Sequence, residues 1–200
     1  MALPTVGRST RVPAESYPGD CATVPIRPPS EGLRPGRGAG GMTPYQAILA
    51  TPLGPIGVQM DAAGRLVTLD YLPSRTRLIE PVTPAAGRVV RALEAYFTAP
   101  RHRFDVPLAP LGTAHQQRVW AALREIPSGQ SRTYGELADV VGSAPRAVGQ
   151  ACRRNPIPII IPCHRVVARG GIGGYSGATA GPELAIKRWL LAHEGGLPGG

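Results

Sequence analysis

The first 42 residues restrict which part of this 200-residue chain can build a core. They contain seven prolines and seven glycines and have neither helical nor strand periodicity. Such a segment cannot bury enough apolar surface to offset the entropy of ordering it. We therefore predict a disordered tail over residues 1–42. Because Met42 stands where the composition changes, it is also a candidate translation start, which the intact mass of protein from the native host would decide.

Composition then limits the class of protein. Hydrophobic residues make up 42% of the chain, enough for a globular core, but no apolar run approaches the roughly 20 residues of a membrane helix. The N-terminus lacks the apolar stretch of a secretory signal, and the three cysteines (Cys21, Cys152 and Cys163) cannot all pair with one another. These features favour the cytoplasm and a free thiol. No cysteines form a Cys-x-x-Cys pair, so we predict no metal and no other cofactor.

Residues 43–111 have the pattern of a small α/β domain. Three short apolar segments separated by turn residues predict an antiparallel meander: 45–49, 57–60 and 65–71. Residues 84–98 predict a helix. Its expected buried face consists of Val89, Leu93, Tyr96 and Phe97. No catalytic motif is visible in this part of the chain.

Residues 112–195 are predicted to form a mainly helical domain, followed by a flexible tail over 196–200. The expected helices are 116–125, 133–141 and 145–154. The last two, joined by a short turn at Gly142, have the outline of a helix-turn-helix, although paired helices in an ordinary core share it. Ala147 and Gly149 would let the second helix approach a groove closely, and three arginines add charge to it: Arg146, Arg153 and Arg154.

The charge of the chain points to nucleic acid as a partner. The formal net charge is +9, and Lys187 is the only lysine among 22 basic residues. Arginine is suited to phosphate, and residues 113–200 contain ten basic and five acidic residues. The base composition of the genome explains an arginine bias equally well.

The segment 155–167 carries the most informative chemistry. An apolar run that ends in Pro162 is predicted to be a buried strand that delivers Cys163 beside His164. Neighbouring cationic groups lower the pKa of a thiol and make it nucleophilic. An extended backbone would point the two side chains apart, so a bridging water is expected, with Glu194 as a candidate to orient the imidazole. The alternative is that Cys163 is simply a small buried side chain.

Several spaced motifs resemble a known family. Pro-Cys-His-Arg-Val at 162–166 is accompanied by the motifs at 131–138, 146–149, 155–156, 174–177 and 187–195. Together they resemble the O6-alkylguanine-DNA alkyltransferases, which are direct-reversal DNA repair proteins. The resemblance is nearly continuous from about Gly112 to Gly195 and weaker over 43–111.

The resemblance implies a reaction. Cys163 would accept the alkyl group from O6 of guanine, and O4 of thymine is a further candidate donor. His164 would activate the thiol through water, and Glu194 would orient His164. Tyr134 would donate to N3 of the guanine. Because nothing in the sequence suggests a way to cleave the product thioether, the reaction is expected to be irreversible and limited to a single turnover.

The resemblance also implies how DNA is bound. The partner would be double-stranded DNA with O6-alkylguanine, held by a monomer through a winged helix-turn-helix-like motif with the recognition helix in the minor groove. Tyr134 would help rotate the target nucleotide out, and Arg146 would fill its place in the stack. Asn155 would brace the turn before the cysteine. The guanine pocket would be lined by Val166, Tyr175 and Ser176.

Two positions depart from the family pattern. His115 stands where phenylalanine is usual, and we assign it no catalytic role. Cys152 is expected to pack in the core, with a second oxidisable thiol as the alternative.

Two other classes of protein are weighed against an alkyl-accepting repair enzyme. A noncatalytic recognition module of the alkyltransferase-like type would lack the acceptor, which is present here as Cys163. A helix-turn-helix regulator would need an effector domain, and none is visible.

Overall fold

The structure, a computed structural model, describes residues 45–196. The predicted tail over 1–42, the candidate start at Met42, Cys21 and residues 197–200 lie outside the described residues. The predicted meander is confirmed: β1 (Ala47–Leu49), β2 (Ile56–Met60) and β3 (Leu66–Tyr71) form an antiparallel sheet in the order β1-β2-β3. A register shift between Gln59 and Met60 marks an irregularity where β2 pairs with β3.

Helix α1 (Pro84–Thr98) covers this sheet and has the predicted bounds. The hydroxyl of Thr83 caps its first turn by accepting from the backbone N–H of Ala86 at 3.1 Å. Pro84 suits the first helical position because it has no N–H to leave unpaired. Its buried face includes Val89, Leu93, Tyr96 and Phe97, as predicted. Two parts of the chain far apart in sequence meet here, since Tyr96 also reaches Glu194.

Three helices pack against one another in the second half of the chain: α2 (Ala114–Arg124), α3 (Tyr134–Val141) and α4 (Pro145–Arg153). Helix α2 begins two residues before the predicted start because Thr113 and Gln116 form a capping box. Thr133 and Glu136 do the same for α3. Gly142 ends α3 with φ of 62°, which favours glycine, and Pro145 opens α4.

The predicted strand before Cys163 is wrong. Residues 156–161 form bends and a turn over 158–160, and Ile159 has a φ of 72°. The backbone N–H of Ile161 donates to the carbonyl oxygen of Ile157, and that of Cys163 donates to Ile161. Prolines at 156, 158 and 162 cannot donate to a strand ladder, so most backbone hydrogen bonds of the segment are local, while its isoleucines remain buried.

A one-turn 3-10 helix, Cys163–Arg165, follows the turns and leads into β5 (Val166–Val167). Strand β5 pairs in parallel with β4 (Arg132–Thr133), just before α3. Helix α5 (Pro182–His193) closes the fold and contacts the 3-10 helix. Over residues 45–196, no helix combines the length and the apolar character needed to cross a membrane.

Candidate active site

Cys163 is the first residue of the 3-10 helix and is 6% exposed. Asn155 holds the loop that leads to it. The side-chain amide of Asn155 donates to the carbonyl oxygen of Ile161 at 2.7 Å and to Sγ of Cys163 at 3.2 Å. Its amide oxygen accepts from the backbone N–H of Ile157 at 3.0 Å. One side chain therefore fixes the turn and contacts the sulfur.

His164 is fully buried beside Glu194, which follows α5. Nε2 of His164 lies 2.9 Å from Oε1 of Glu194. Because a carboxylate only accepts hydrogen bonds, Nε2 carries the proton and Nδ1 keeps its lone pair. Nδ1 is buried and has no hydrogen-bond partner among residues 45–196. The imidazole is therefore oriented to accept a proton at Nδ1.

Arg165 neutralises the charge of Glu194. Nε of Arg165 donates to Oε2 at 2.9 Å and Nη2 donates to Oε1 at 2.9 Å, a forked pairing in which the carboxylate side chain is 0% exposed. Nη1 donates to the carbonyl oxygen of Ile126. Because Arg165 already balances the negative charge of Glu194, His164 can remain neutral in the resting site.

Burial and these contacts decide the protonation of the resting site. Burial raises the pKa of the Cys163 thiol, and the opposing effects of Asn155 and Lys187 are smaller. The predicted lowering of this pKa is therefore absent, because desolvation penalises a thiolate. Burial lowers the pKa of His164 more than Glu194 raises it. Burial also favours a neutral Glu194, but hydrogen bonds from His164 and Arg165 hold its pKa well below the ordinary range.

A cavity of about 210 Å³ opens beside Cys163. Its volume is below the roughly 300 Å³ at which drug-sized pockets begin, so it would take only a small ligand. Among the predicted site residues, Tyr134, Tyr175 and Ser176 line it. Val166 does not line it: this residue pairs in β5 and its side chain lies in the hydrophobic core. The hydroxyl of Tyr134 donates to the carbonyl oxygen of Gly174 at 3.3 Å.

Helix α4 presents its predicted contact residues beside this cavity. Arg146, in the first turn, is exposed, and Ala147 and Gly149 are half-buried. Gly149 lines the cavity together with Arg153. The side chain of Arg153 lies so close to Gly177 that a Cβ there would be 2.5 Å from its Nε. Arg154 is exposed after the end of the helix.

The two departures from the family pattern occupy different places. Cys152 is a buried free cysteine that lines the same cavity as Cys163. Burial raises its pKa, which favours the neutral thiol. Nε2 of His115 lies 2.8 Å from Oγ of Ser143, where it links the start of α2 to the turn before α4. Among the described residues, no group of three histidine, cysteine or acidic side chains could hold a metal ion.

Several residues of the site were missed from sequence. Arg165 and Tyr96 bind Glu194, and Nζ of Lys187 donates to the carbonyl oxygens of Val166 at 2.6 Å and Gly174 at 3.0 Å. Burial lowers the pKa of Lys187 to about 8. Lys187 could have been singled out from sequence because it is the only lysine in the chain. No residue near Tyr96 in the sequence indicates that its partner lies 98 positions away.

Comparison with known proteins gives consistent matches. Residues 114–196 match the family described as 6-O-methylguanine DNA methyltransferase, DNA binding domain. A methylated-DNA–protein-cysteine methyltransferase of Methanosarcina acetivorans is 43% identical over 76% of this chain and 98% of the relative. The constitutive methylated-DNA–protein-cysteine methyltransferase of Bacillus subtilis is 39% identical over 74% of this chain and 93% of the relative.

Solved structures match over the same region. The crystal structure of O6-methylguanine methyltransferase from Mycobacterium tuberculosis is 40% identical, with a TM-score of 0.61, and the match covers 76% of this chain and 93% of that one. A crystal structure of the Mycobacterium tuberculosis protein in complex with DNA matches with a TM-score of 0.61 at 39% identity, over 74% of this chain and 91% of the other. Both similarities extend well beyond the DNA-binding domain.

Proposed function

Because this chain belongs to the methylated-DNA–protein-cysteine methyltransferase family, we propose that it transfers an alkyl group from O6 of guanine in duplex DNA to its own Cys163. The chain is a DNA-binding methyltransferase that acts in DNA repair by alkyl transfer. The observation that supports Cys163 as the acceptor is its buried thiol at the wall of a cavity of about 210 Å³, with the amide of Asn155 donating to its sulfur. O4 of thymine is a further candidate donor.

The proposed reaction balances as a displacement at carbon. His164 accepts the thiol proton at Nδ1, relayed by water, and the sulfur lone pair attacks the alkyl carbon. The carbon–oxygen bond breaks and its electron pair goes to the guanine, which Tyr134 neutralises by donating toward N3. Glu194 stabilises the imidazolium. A thioether forms, and since no described group can cleave it, the reaction stops after one turnover.

We propose that α3, the turn at Gly142 and α4 act as a winged helix-turn-helix-like motif, with the β4–β5 pair beside α3. A buried base cannot reach Cys163, so the target nucleotide must rotate out of the stack. Tyr134 would assist the rotation, Arg146 would fill the vacated place, and Arg153 would bind phosphate. Small side chains at Ala147 and Gly149 would allow close approach to the minor groove.

We further propose that the chain divides into an α/β domain, 43–111, and a catalytic DNA-binding domain, 112–195. The family match begins at residue 114, near this boundary. We also propose that the chain acts as a monomer, and the elution volume of the protein with and without duplex DNA tests this.

Mass spectrometry tests the proposal directly. After incubation with excess O6-methylguanine duplex, we expect one methyl group per protein, located on the peptide that contains Cys163, with no further turnover. Unmodified duplex serves as the control. Sustained turnover would contradict the mechanism, and binding without transfer would instead favour a noncatalytic recognition module.

Replacing Arg146 by alanine should slow transfer from duplex DNA by roughly 10- to 100-fold, because a few kcal/mol of unstacking is no longer offset. A single-stranded oligonucleotide needs little unstacking, so its transfer rate should fall much less. Single-turnover kinetics on both substrates measures the difference. Arg88→Ala, an exposed arginine on α1, is the matched control. Equal losses on both substrates would contradict the role as an intercalating finger.

A further inference from the structure

Tyr96 connects the α/β part of the chain to the candidate active site. It lies near the end of α1 and is 0% exposed. Its hydroxyl donates to Oε1 of Glu194 at 2.8 Å. The ring packs against Phe97 and Phe104, with centroids 5.4 Å away in each case, and against His193 at 5.3 Å. The hydroxyl is therefore held in place by the packing of its own ring.

The carboxylate of Glu194 receives more donors at one oxygen than at the other. Oε1 accepts from Tyr96 at 2.8 Å, from His164 at 2.9 Å and from Nη2 of Arg165 at 2.9 Å. Oε2 accepts from Nε of Arg165 at 2.9 Å and from the backbone of Gly129 at 3.5 Å. A carboxylate oxygen has about two lone-pair sites, so three donors at Oε1 share its negative charge.

We propose that Tyr96 is a positioning residue for the transfer reaction: its hydroxyl competes with His164 for Oε1 of Glu194 and thereby sets how strongly His164 holds the proton taken from Cys163. This inference rests on the proposed function. The hydrogen bond from Tyr96 to the ionised Glu194 is strong because its acceptor is charged. It draws negative charge on Oε1 toward the tyrosine, so less of that charge is left to attract a protonated imidazole.

Replacing Tyr96 by phenylalanine leaves the other charged and titratable groups around His164 and Glu194 unchanged. Arg165 faces Glu194 from the 3-10 helix, Lys187 affects His164 from α5, and Tyr71 faces Tyr96 from β3. None of these loses a hydrogen bond when the Tyr96 hydroxyl is removed. Arg165 continues to neutralise Glu194 through both oxygens. The change therefore acts mainly on the bond between His164 and Oε1.

The test is the pH dependence of single-turnover transfer by Tyr96→Phe. With one donor fewer on Oε1, Glu194 holds a protonated His164 more tightly, so the pKa of His164 rises. Transfer needs neutral His164, and the acid limb of the rate profile should move to higher pH by about half a unit to one unit. Tyr45→Phe is the matched control, since it removes a tyrosine bond to Asp70 of 3.0 Å in the same part of the chain.

A second measurement separates positioning from simple loss of packing. The NMR titration of the His164 imidazole should show the same upward shift in Tyr96→Phe, and it requires no DNA. Site-specific fluorotyrosine at position 96 is a stronger donor and should move both the titration and the acid limb to lower pH. Coincident profiles for Tyr96→Phe, Tyr45→Phe and wild type would overturn the role of Tyr96. Absence of transfer in wild type would overturn the proposed function instead, while the titration would still report on Tyr96.

Discussion

Replacing Cys163 by alanine is expected to abolish alkyl transfer from O6-methylguanine duplex while duplex binding is retained. The substitution removes the sulfur that forms the new bond, and no other described group can replace it in the geometry set by Asn155. In the proposed function the duplex is bound by the surface of α4, and Cys163 is not part of that helix. Transfer of a labelled methyl group measures the reaction, and an electrophoretic shift of the same duplex measures binding.

Cys152→Ala is the matched control, because Cys152 is the other buried free cysteine on the cavity. This variant should still take up one methyl group per protein. Labelling of Cys163→Ala that disappears only when Cys152 is also replaced would contradict the assignment of the acceptor.

The second large effect is expected for Glu194→Gln. A neutral amide cannot stabilise the imidazolium, so transfer should slow by about 100- to 10,000-fold, the contribution typical of a positioned acid–base group. The substitution also leaves Arg165 with an uncompensated charge, and its side chain is only 10% exposed. Breaking a buried ion pair from one side costs about 3–5 kcal/mol of unfolding free energy. Denaturant unfolding and single-turnover rates measure the two effects.

Asp61→Asn provides the comparison for stability. Asp61 pairs with Arg65 at 2.7 Å, but the arginine side chain is 54% exposed. Loss of an exposed pair should cost about 0–1 kcal/mol. If Glu194→Gln and Asp61→Asn lost the same unfolding free energy, the burial of the Arg165–Glu194 pair would not make its loss more costly.

The pKa of Glu194 also predicts how the stability of wild type and of Glu194→Gln changes as the pH falls. The pKa of Glu194 in the folded chain lies well below its ordinary value of 4.5, because His164 and Arg165 stabilise the carboxylate against the cost of burial. A depressed carboxyl pKa contributes stability that is present above pH 4.5 and is lost as the pH falls. Glu194→Gln should therefore lose less stability on acidification than wild type does.

Local signals were enough for most of the helices. Gly142 ends α3 and Pro145 opens α4, and each acts within a few positions of the chain. Periodicity alone placed the start of α2 two residues late, because the capping box of Thr113 and Gln116 begins that helix earlier. The same logic failed before Cys163. A run of isoleucines is typical of a buried strand, but prolines removed the donors that a strand needs, and the chain formed turns instead.

The sequence by itself determined that Cys163 stands beside His164, and it predicted the paired helices and Glu194 as a candidate partner for the imidazole. Only the tertiary structure decided that Asn155 contacts the sulfur, that Arg165 shares Glu194 with His164, and that Val166 faces the core. Tyr96 is the clearest case, because its bond to Glu194 joins residues 98 positions apart. The periodicity of apolar residues predicts which face of α1 is buried. It cannot predict the partner of a buried hydroxyl, because that partner depends on how distant parts of the chain pack.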